Sequence, residues 1–319
     1  MRFPLADWID DHADCRYNLG SSGMFGTVLL PRPSAAAIRS ADAEELRRGL
    51  GVLVGVDPSR LFLTHGATEA NSAAVFYLRR AHSTRSPRFR VRLPEYPPLS
   101  QLPLLAGFRP VTRSGPADLA VVSQPRNPEG DLWPVERLLR WAEGARATLV
   151  DETFREFSEA PSLQRHPLPG LWTTGTFTKV YGGDDLRVGF VVPPEEETER
   201  FARFHGVVTD EIPVHSVAGA LAVLAHRERI LRAVRSQISH HQSLWRRANP
   251  GGPPLAGPVA FDDPVAPDGD RFARRCLRSS VLVCPGSFFG RRSGVRVGFT
   301  RRSFPRDLAR YLRVRAAVG

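Results

Sequence analysis

Lys179 is the one residue whose type points to covalent chemistry before any motif is considered. It is the only lysine in 319 residues; every other one of the 44 basic side chains is arginine. Where charge alone matters, either residue serves. A guanidinium is never deprotonated in a protein and forms no Schiff base, whereas a desolvated primary amine does both. A chain this rich in arginine keeps a lysine where an amine is required. Lys179 closes the run Thr176-Phe-Thr-Lys179, and Arg187-Val-Gly189 follows eight residues later. Three further polar points have the same setting, each following an apolar run: Gly66-Ala67-Thr68, Asn127 and Asp151. A glycine opening a helix lets the backbone come close to an anion, and the free N–H groups there bind it.

The elements around these points alternate. Short apolar runs at 61–64, 89–93, 119–122, 148–150 and 186–192 read as strands. Helical spacing is seen at 69–81 through Ala70, Ala73, Ala74, Tyr77 and Leu78, and a helix is expected from Pro134 to about Ala147. Ser40 is placed to cap a helix running to about Leu50. This order predicts an α/β fold, with helices on both faces of a sheet. Ligands in such sheets lie outside the carboxyl ends of the strands, so the four polar points can converge. Residues 1–32 read as an arm with a glycine- and serine-rich loop at 18–26. From about Pro213 the character changes: one long helix or two abutting ones at 215–245, a connection at 249–270 and a short helix at 272–277. Strands follow at 281–283 and 295–299, then a terminal helix at 307–318. The expected division is an arm at 1–32, a large α/β domain at 33–212 and a small α+β domain at 213–319.

Composition narrows the class. The hydrophobic share of 42% and charged share of 24% suit a globular chain with ample core. The net charge of +11 is spread over the chain in pairs such as Arg246-Arg247, without a run of five, so no nucleic-acid partner is expected. Cys15, Cys276 and Cys284 lie far apart and form neither a disulfide framework nor a zinc spacing. A reducing cytoplasm is the natural compartment. No apolar signal core precedes Asp10 and Asp11, and the apolar stretch 217–225 is too short to span a bilayer. His65 and Ser72 lack a triad spacing, and His240-His241 lack further ligands, so no metal is expected.

In the order and spacing of these motifs the chain resembles the class I/II aminotransferases, of the histidinol-phosphate-aminotransferase-like kind. These are pyridoxal-phosphate enzymes of fold type I. The likeness runs over roughly 60–300. The resemblance implies a large three-layer α/β/α cofactor domain with a smaller α+β domain, and a homodimer. It implies that Lys179 holds pyridoxal 5'-phosphate as a Schiff base and then moves the substrate's α-proton. Gly66, Ala67, Thr68, Thr176, Thr178 and Arg187 would bind the phosphate. Asp151 would pair with the ring nitrogen, Asn127 would donate to the phenolic oxygen, and Tyr96 in Pro94-Glu-Tyr-Pro97 would stack on the ring. Arg296, after Pro285-Gly286, would clamp the substrate carboxylate, with Gly20 of the arm near the substrate. Relatives often carry an aromatic residue on this arm that reaches the partner subunit; no clear equivalent stands here, and Phe25 comes nearest. Phe154 departs from the pattern, since relatives carry a tyrosine there. Gln124 and Glu129 depart from the pattern around Asn127.

The activity implied is transfer of an amino group between an amino acid and a 2-oxo acid. A lyase, decarboxylase or cyclising enzyme would use the same cofactor residues, because substrate contacts choose the bond cleaved. A regulator binding the cofactor or nucleic acid would lack chemistry altogether; no helix-turn-helix appendage supports it.

Overall fold

The computed structural model describes residues 4–28, 30–81, 86–111, 115–166, 168, 170–263 and 268–317. Its centre is a seven-stranded sheet. In chain order the strands are β1 (Phe62–Thr64), β2 (Arg88–Val91), β3 (Arg109–Pro110), β4 (Ala117–Ser123), β5 (Ala145–Asp151), β6 (Leu171–Thr176) and β7 (Gly189–Val192). Their spatial order is β1-β7-β6-β5-β4-β2-β3. Strand β7 runs antiparallel to both neighbours, and the other pairs are parallel. The carboxyl ends of β1, β2, β4, β5 and β6 therefore share one edge with the start of β7. That single fact brings Gly66, Tyr96, Asn127, Asp151, Lys179 and Arg187 to the same side of the sheet.

The strands are apolar because both faces are covered. On β4, Leu119 and Val121 pack with Ala70, Ala74 and Leu78 of the helix α2 (Ala67–Ala81). Val122, the next residue along the strand, turns to the other face, against Trp133 and Leu138. On β5, Leu149 and Val150 divide the same way. Helices on both faces make three layers, as expected. A three-stranded antiparallel sheet of Cys284–Pro285, Val295–Gly298 and Val259–Asp262 packs against the helix α3 (Arg227–Ala248) and the helix Phe304–Ala316.

Several boundaries differ from expectation, for local reasons. Asp42, not Ser40, caps the helix Ala43–Val54 by accepting the Glu44 amide at 2.9 Å; Ser40 instead ends a preceding helix, Ala35–Arg39. The helix after Pro134 stops at Ala142, because Gly144 turns the chain at φ 75° and β5 starts at Ala145. Strand β7 starts at Gly189, since Arg187 itself takes φ 49°. The long helical stretch breaks at His226 into Val214–Ala225 and α3. The arm includes a true helix, α1 (Pro4–Asp11). The terminal helix ends at Ala316, and residue 318 lies outside the described residues.

Candidate active site

A cavity of about 410 Å³ opens at the shared strand edge. It is lined by Ala67, Thr68, Tyr96, Asn127, Asp151, Thr176, Thr178, Lys179, Arg187 and Arg296, residues scattered over more than two hundred positions. Gly66 and Gly20 stand behind this wall rather than on it. That size is ordinary for a small-molecule site.

Lys179 lies on the turn after β6. Its carbonyl accepts the Met24 amide at 2.9 Å, which lays the arm on the lysine turn. Gly182 permits that approach: at φ 67° a Cβ there would stand 2.7 Å from the Met24 carbonyl oxygen. Next on the arm, the Phe25 ring centre lies 5.0 Å from the Lys179 amine. Burial pushes that amine down to about 8; Asp184 opposes the shift, Arg296 and Arg187 add to it, and Asp151 opposes it. A free amine is thus accessible near neutral pH.

Asp151 ends β5 and is buried. One carboxylate oxygen accepts the Thr153 amide at 2.8 Å, the other the Asn71 side-chain amide at 2.8 Å. Thr174 in turn donates to the Asn71 oxygen at 2.7 Å, which fixes the amide's orientation. Burial pushes the Asp151 carboxyl above its ordinary range, and Thr153, Asn71 and Lys179 pull it back. Asn71 was not singled out in the sequence. Its signal was a polar residue on the buried stripe of a helix, three residues before Ala74 and seven before Leu78.

At the start of α2 the backbone leaves room for glycine alone. Gly66 takes φ 95°, and a Cβ there would stand 3.1 Å from Arg187 Nη2. A Cβ on Gly189 would stand 2.5 Å from the Gly66 carbonyl carbon and 2.8 Å from the Ala67 nitrogen. Both glycines are therefore required for the guanidinium and the helix start to meet. Arg187 donates to the His65 carbonyl at 3.2 Å and to Asp184 at 3.3 Å. The Thr176 hydroxyl accepts the Thr178 amide at 3.2 Å and donates to the Val188 carbonyl at 2.8 Å. Tyr96 is hydrogen-bonded to Thr68, and burial, with Asp151 beside it, raises its hydroxyl to about 12.

Arg296 is 1% exposed and bridges three segments. It donates to Asn127 Oδ1 at 3.1 Å and to the Gly20 carbonyl at 2.8 Å, with the Phe289 ring centre at 5.1 Å. Its Nε is buried without a partner among the described residues. Because Asn127 accepts through its oxygen, its NH₂ end is not engaged by that arginine. Phe154 lines the cavity, packs edge-on against Phe157, and offers no hydroxyl. Sequence reasoning also missed α1, whose Leu5, Ala6, Ile9 and Asp10 form part of the wall. Its anchor is Trp8, which donates to the Val283 carbonyl at 2.9 Å.

No family model matches the chain. A capreomycidine synthase from Streptomyces vinaceus is 27% identical, over 93% of this chain and 89% of its own. A histidinol-phosphate aminotransferase from Thermococcus kodakarensis is 32% identical, over 42% of this chain and 41% of its own. Among solved structures, a PLP-dependent aminotransferase from Streptococcus suis has a TM-score of 0.80 at 19% identity, covering 100% of this chain and 98% of that one. These likenesses bear out the resemblance to the class I/II aminotransferases and give the chain the fold type I architecture.

Proposed function

We propose that the protein is a pyridoxal-phosphate-dependent aminotransferase, moving an amino group between an amino acid and a 2-oxo acid. The observation that carries this reading is the placement of the chain's single lysine amine, depressed to about 8, in one cavity with a buried carboxylate and two arginines. The residues present fit the cofactor: a cradle that only glycine allows, at a helix start beside Arg187, Thr176 and Thr178, suits a phosphate dianion. When bound, pyridoxal phosphate supplies an electron-withdrawing ring that stabilises negative charge at the substrate's α-carbon.

The chain's own groups then divide the work. Lys179 would hold the aldehyde carbon and, as a free amine, would take and return the α-proton. Asp151, kept in place by Asn71 and Thr153, would keep the ring nitrogen protonated. Asn127 would donate to the phenolic oxygen. Tyr96, hydrogen-bonded to Thr68, would stack on the ring. Arg296 receives the substrate carboxylate, and its unpartnered Nε is a donor ready for it. Phe25 and the arm cover the amine from above. The reading extends to a large unit at 33–212 with a small one from the arm and 213–319, to a homodimer and to a cytoplasmic setting. Among the described residues no helix is long and apolar enough to cross a membrane.

Spectroscopy tests the assignment. Purified protein with pyridoxal 5'-phosphate is expected to be yellow, to lose that band on borohydride reduction and to carry the reduced adduct on Lys179. A Lys179→Ala protein that still forms the yellow adduct would sink it. A second reading, a lyase or cyclising enzyme on the same residues, is favoured by two observations: the relative named as a synthase, and Phe154 in the cavity wall. Stoichiometric 2-oxo acid from a chosen amino donor supports transfer; release of carbon dioxide or ammonia without an acceptor supports the second reading.

A further inference from the structure

Glu95 is a carboxylate that the chemistry above leaves unused. It is 0% exposed and stands behind the cavity wall, between two segments that supply cavity groups. From its own segment the Tyr96 amide donates to Oε1 at 2.7 Å. From the end of β4 the Ser123 amide donates to Oε2 at 3.0 Å, and the Ser123 hydroxyl donates to Oε1 at 2.5 Å. That hydroxyl also accepts the Asn127 amide at 2.8 Å. Tyr96, Ser123 and Asn127 all line the cavity.

All three bonds run into the carboxylate, a pattern that an acceptor-only, ionised group satisfies. A protonated Glu95 would carry a donor of its own. Within this set its acceptor is the Ser123 oxygen, so the Ser123 proton would have to leave the bridge and turn elsewhere. The charged group facing Glu95 is Arg126, from the turn after β4; Arg126 itself feels Asp131, Arg92 and Arg137, and pairs with Glu129. Tyr96 faces it from its own segment, and Phe289, from the strand-connecting turn, contributes only a carbonyl, at 3.1 Å from the Glu95 amide. Burial pushes the carboxyl up to about 7, against the pull of Ser123, Arg126 and the Tyr96 amide.

We propose that Glu95 is a positioning residue: as a carboxylate it locks Tyr96 and the Ser123–Asn127 turn to one another, and taking up a proton reverses the bond to the Ser123 hydroxyl, displaces that hydroxyl's proton and so weakens the Ser123 side of the lock. Its effect on cofactor binding rests on the cofactor reading above; the lock itself does not. Two measurements on the full chain separate them. First, backbone amide resonances of Tyr96 and Ser123 in cofactor-free protein should titrate together near neutral pH, and should stay flat in Glu95→Gln. Resonances equally flat in the unsubstituted protein would overturn the lock.

Second, pyridoxal 5'-phosphate is titrated onto both proteins. Ionisation of the cofactor and of Lys179 is common to the two, so the ratio of their affinities isolates Glu95. The unsubstituted protein's advantage should shrink about tenfold between about pH 8 and about pH 6, the size of one hydrogen bond. A constant ratio makes Glu95 a static structural group and overturns the proposal. Ser123→Ala, which keeps both backbone donors, should lie near the low-pH behaviour throughout and carries the test where Glu95→Gln fails to fold. If neither protein takes up the cofactor, the cofactor reading falls and the amide titration alone decides the lock.

Discussion

Arg187 and Arg296 line the same cavity and are held in opposite ways. Arg187 sits at the mouth with its side chain 52% exposed, on a backbone turned to φ 49°, and already has a carboxylate partner in Asp184. Arg296 is 1% exposed, and its partners are neutral: an amide oxygen, a carbonyl and an aromatic ring. No carboxylate pairs with it among the described residues. A charge at the mouth is solvated and screened, so a new anion there gains little that water and Asp184 did not already provide. A charge held dry has forfeited its hydration and recovers free energy only when an anion arrives. The buried arginine is the more selective of the two, because its fork is fixed by Asn127 and Gly20 before any ligand enters.

The largest expected effect follows from that. Arg296→Leu removes two charge-assisted hydrogen bonds to a substrate carboxylate, each worth ~1.5–3 kcal/mol, so KM for the amino acid should rise about a hundredfold or more. It also strands the Gly20 carbonyl and Asn127 Oδ1 as buried acceptors, which should lower the melting temperature. Arg296→Lys keeps the charge without the fork and should recover only part of the KM. Steady-state kinetics with one amino donor checks both. An unchanged KM in Arg296→Leu would place the carboxylate elsewhere in the cavity.

Arg187→Ala should matter less and differently. Cofactor affinity should fall about tenfold, fold stability should move by less than ~1 kcal/mol, and the difference from the unsubstituted protein should narrow at high salt. The Arg296 effect should be insensitive to salt. Equilibrium titration of pyridoxal 5'-phosphate onto Arg187→Ala and the KM of Arg296→Leu, each followed across one salt series, make the contrast visible. Equal salt slopes for the two variants would erase the distinction between the arginines.

Both arginines were legible as candidates, but their burial was not. A motif gives residue type and order; it does not give exposure. Arg296 lies on a strand with apolar neighbours, and alternation left its direction open between site and solvent. The sheet order was what decided convergence. Gly66, Asn127, Asp151 and Lys179 each follow a strand; Arg187 precedes one, so for it to join them β7 had to run antiparallel, which no local pattern encodes. Contacts made through side chains far away in sequence were also invisible: Asn71 to Asp151 spans 80 positions and Arg296 to Gly20 spans 276. The arm read as glycine-rich loop, and α1 escaped because its eight residues contribute one buried leucine, too little for a periodic signal. Helix ends moved where a single residue decided them, as Asp42 did by accepting one amide.

The smallest expected effect tests the comparison most directly, through the group between the two arginines. The Lys179 amine is lowered from 10.5 to about 8, chiefly by burial, with Arg296 and then Arg187 adding to the shift against Asp184 and Asp151. Between about 8 and 10.5 the unfolded chain holds a proton that the folded chain has released. Folding stability of the cofactor-free protein therefore rises with pH across that window. Below about 8 the buried charge costs its full share, roughly 3 kcal/mol. Lys179→Met should abolish that slope. Because the chain has one lysine, protein grown with lysine labelled at the ε-carbon gives one side-chain resonance, and its titration needs no assignment. The midpoint should lie near 8, rise in Arg296→Leu, and rise by less in Arg187→Ala, whose charge acts through solvent. A midpoint near 10.5 in the unsubstituted protein would mean that the amine is not desolvated. A larger rise in Arg187→Ala than in Arg296→Leu would mean that the exposed arginine, not the buried one, sets the field at the amine.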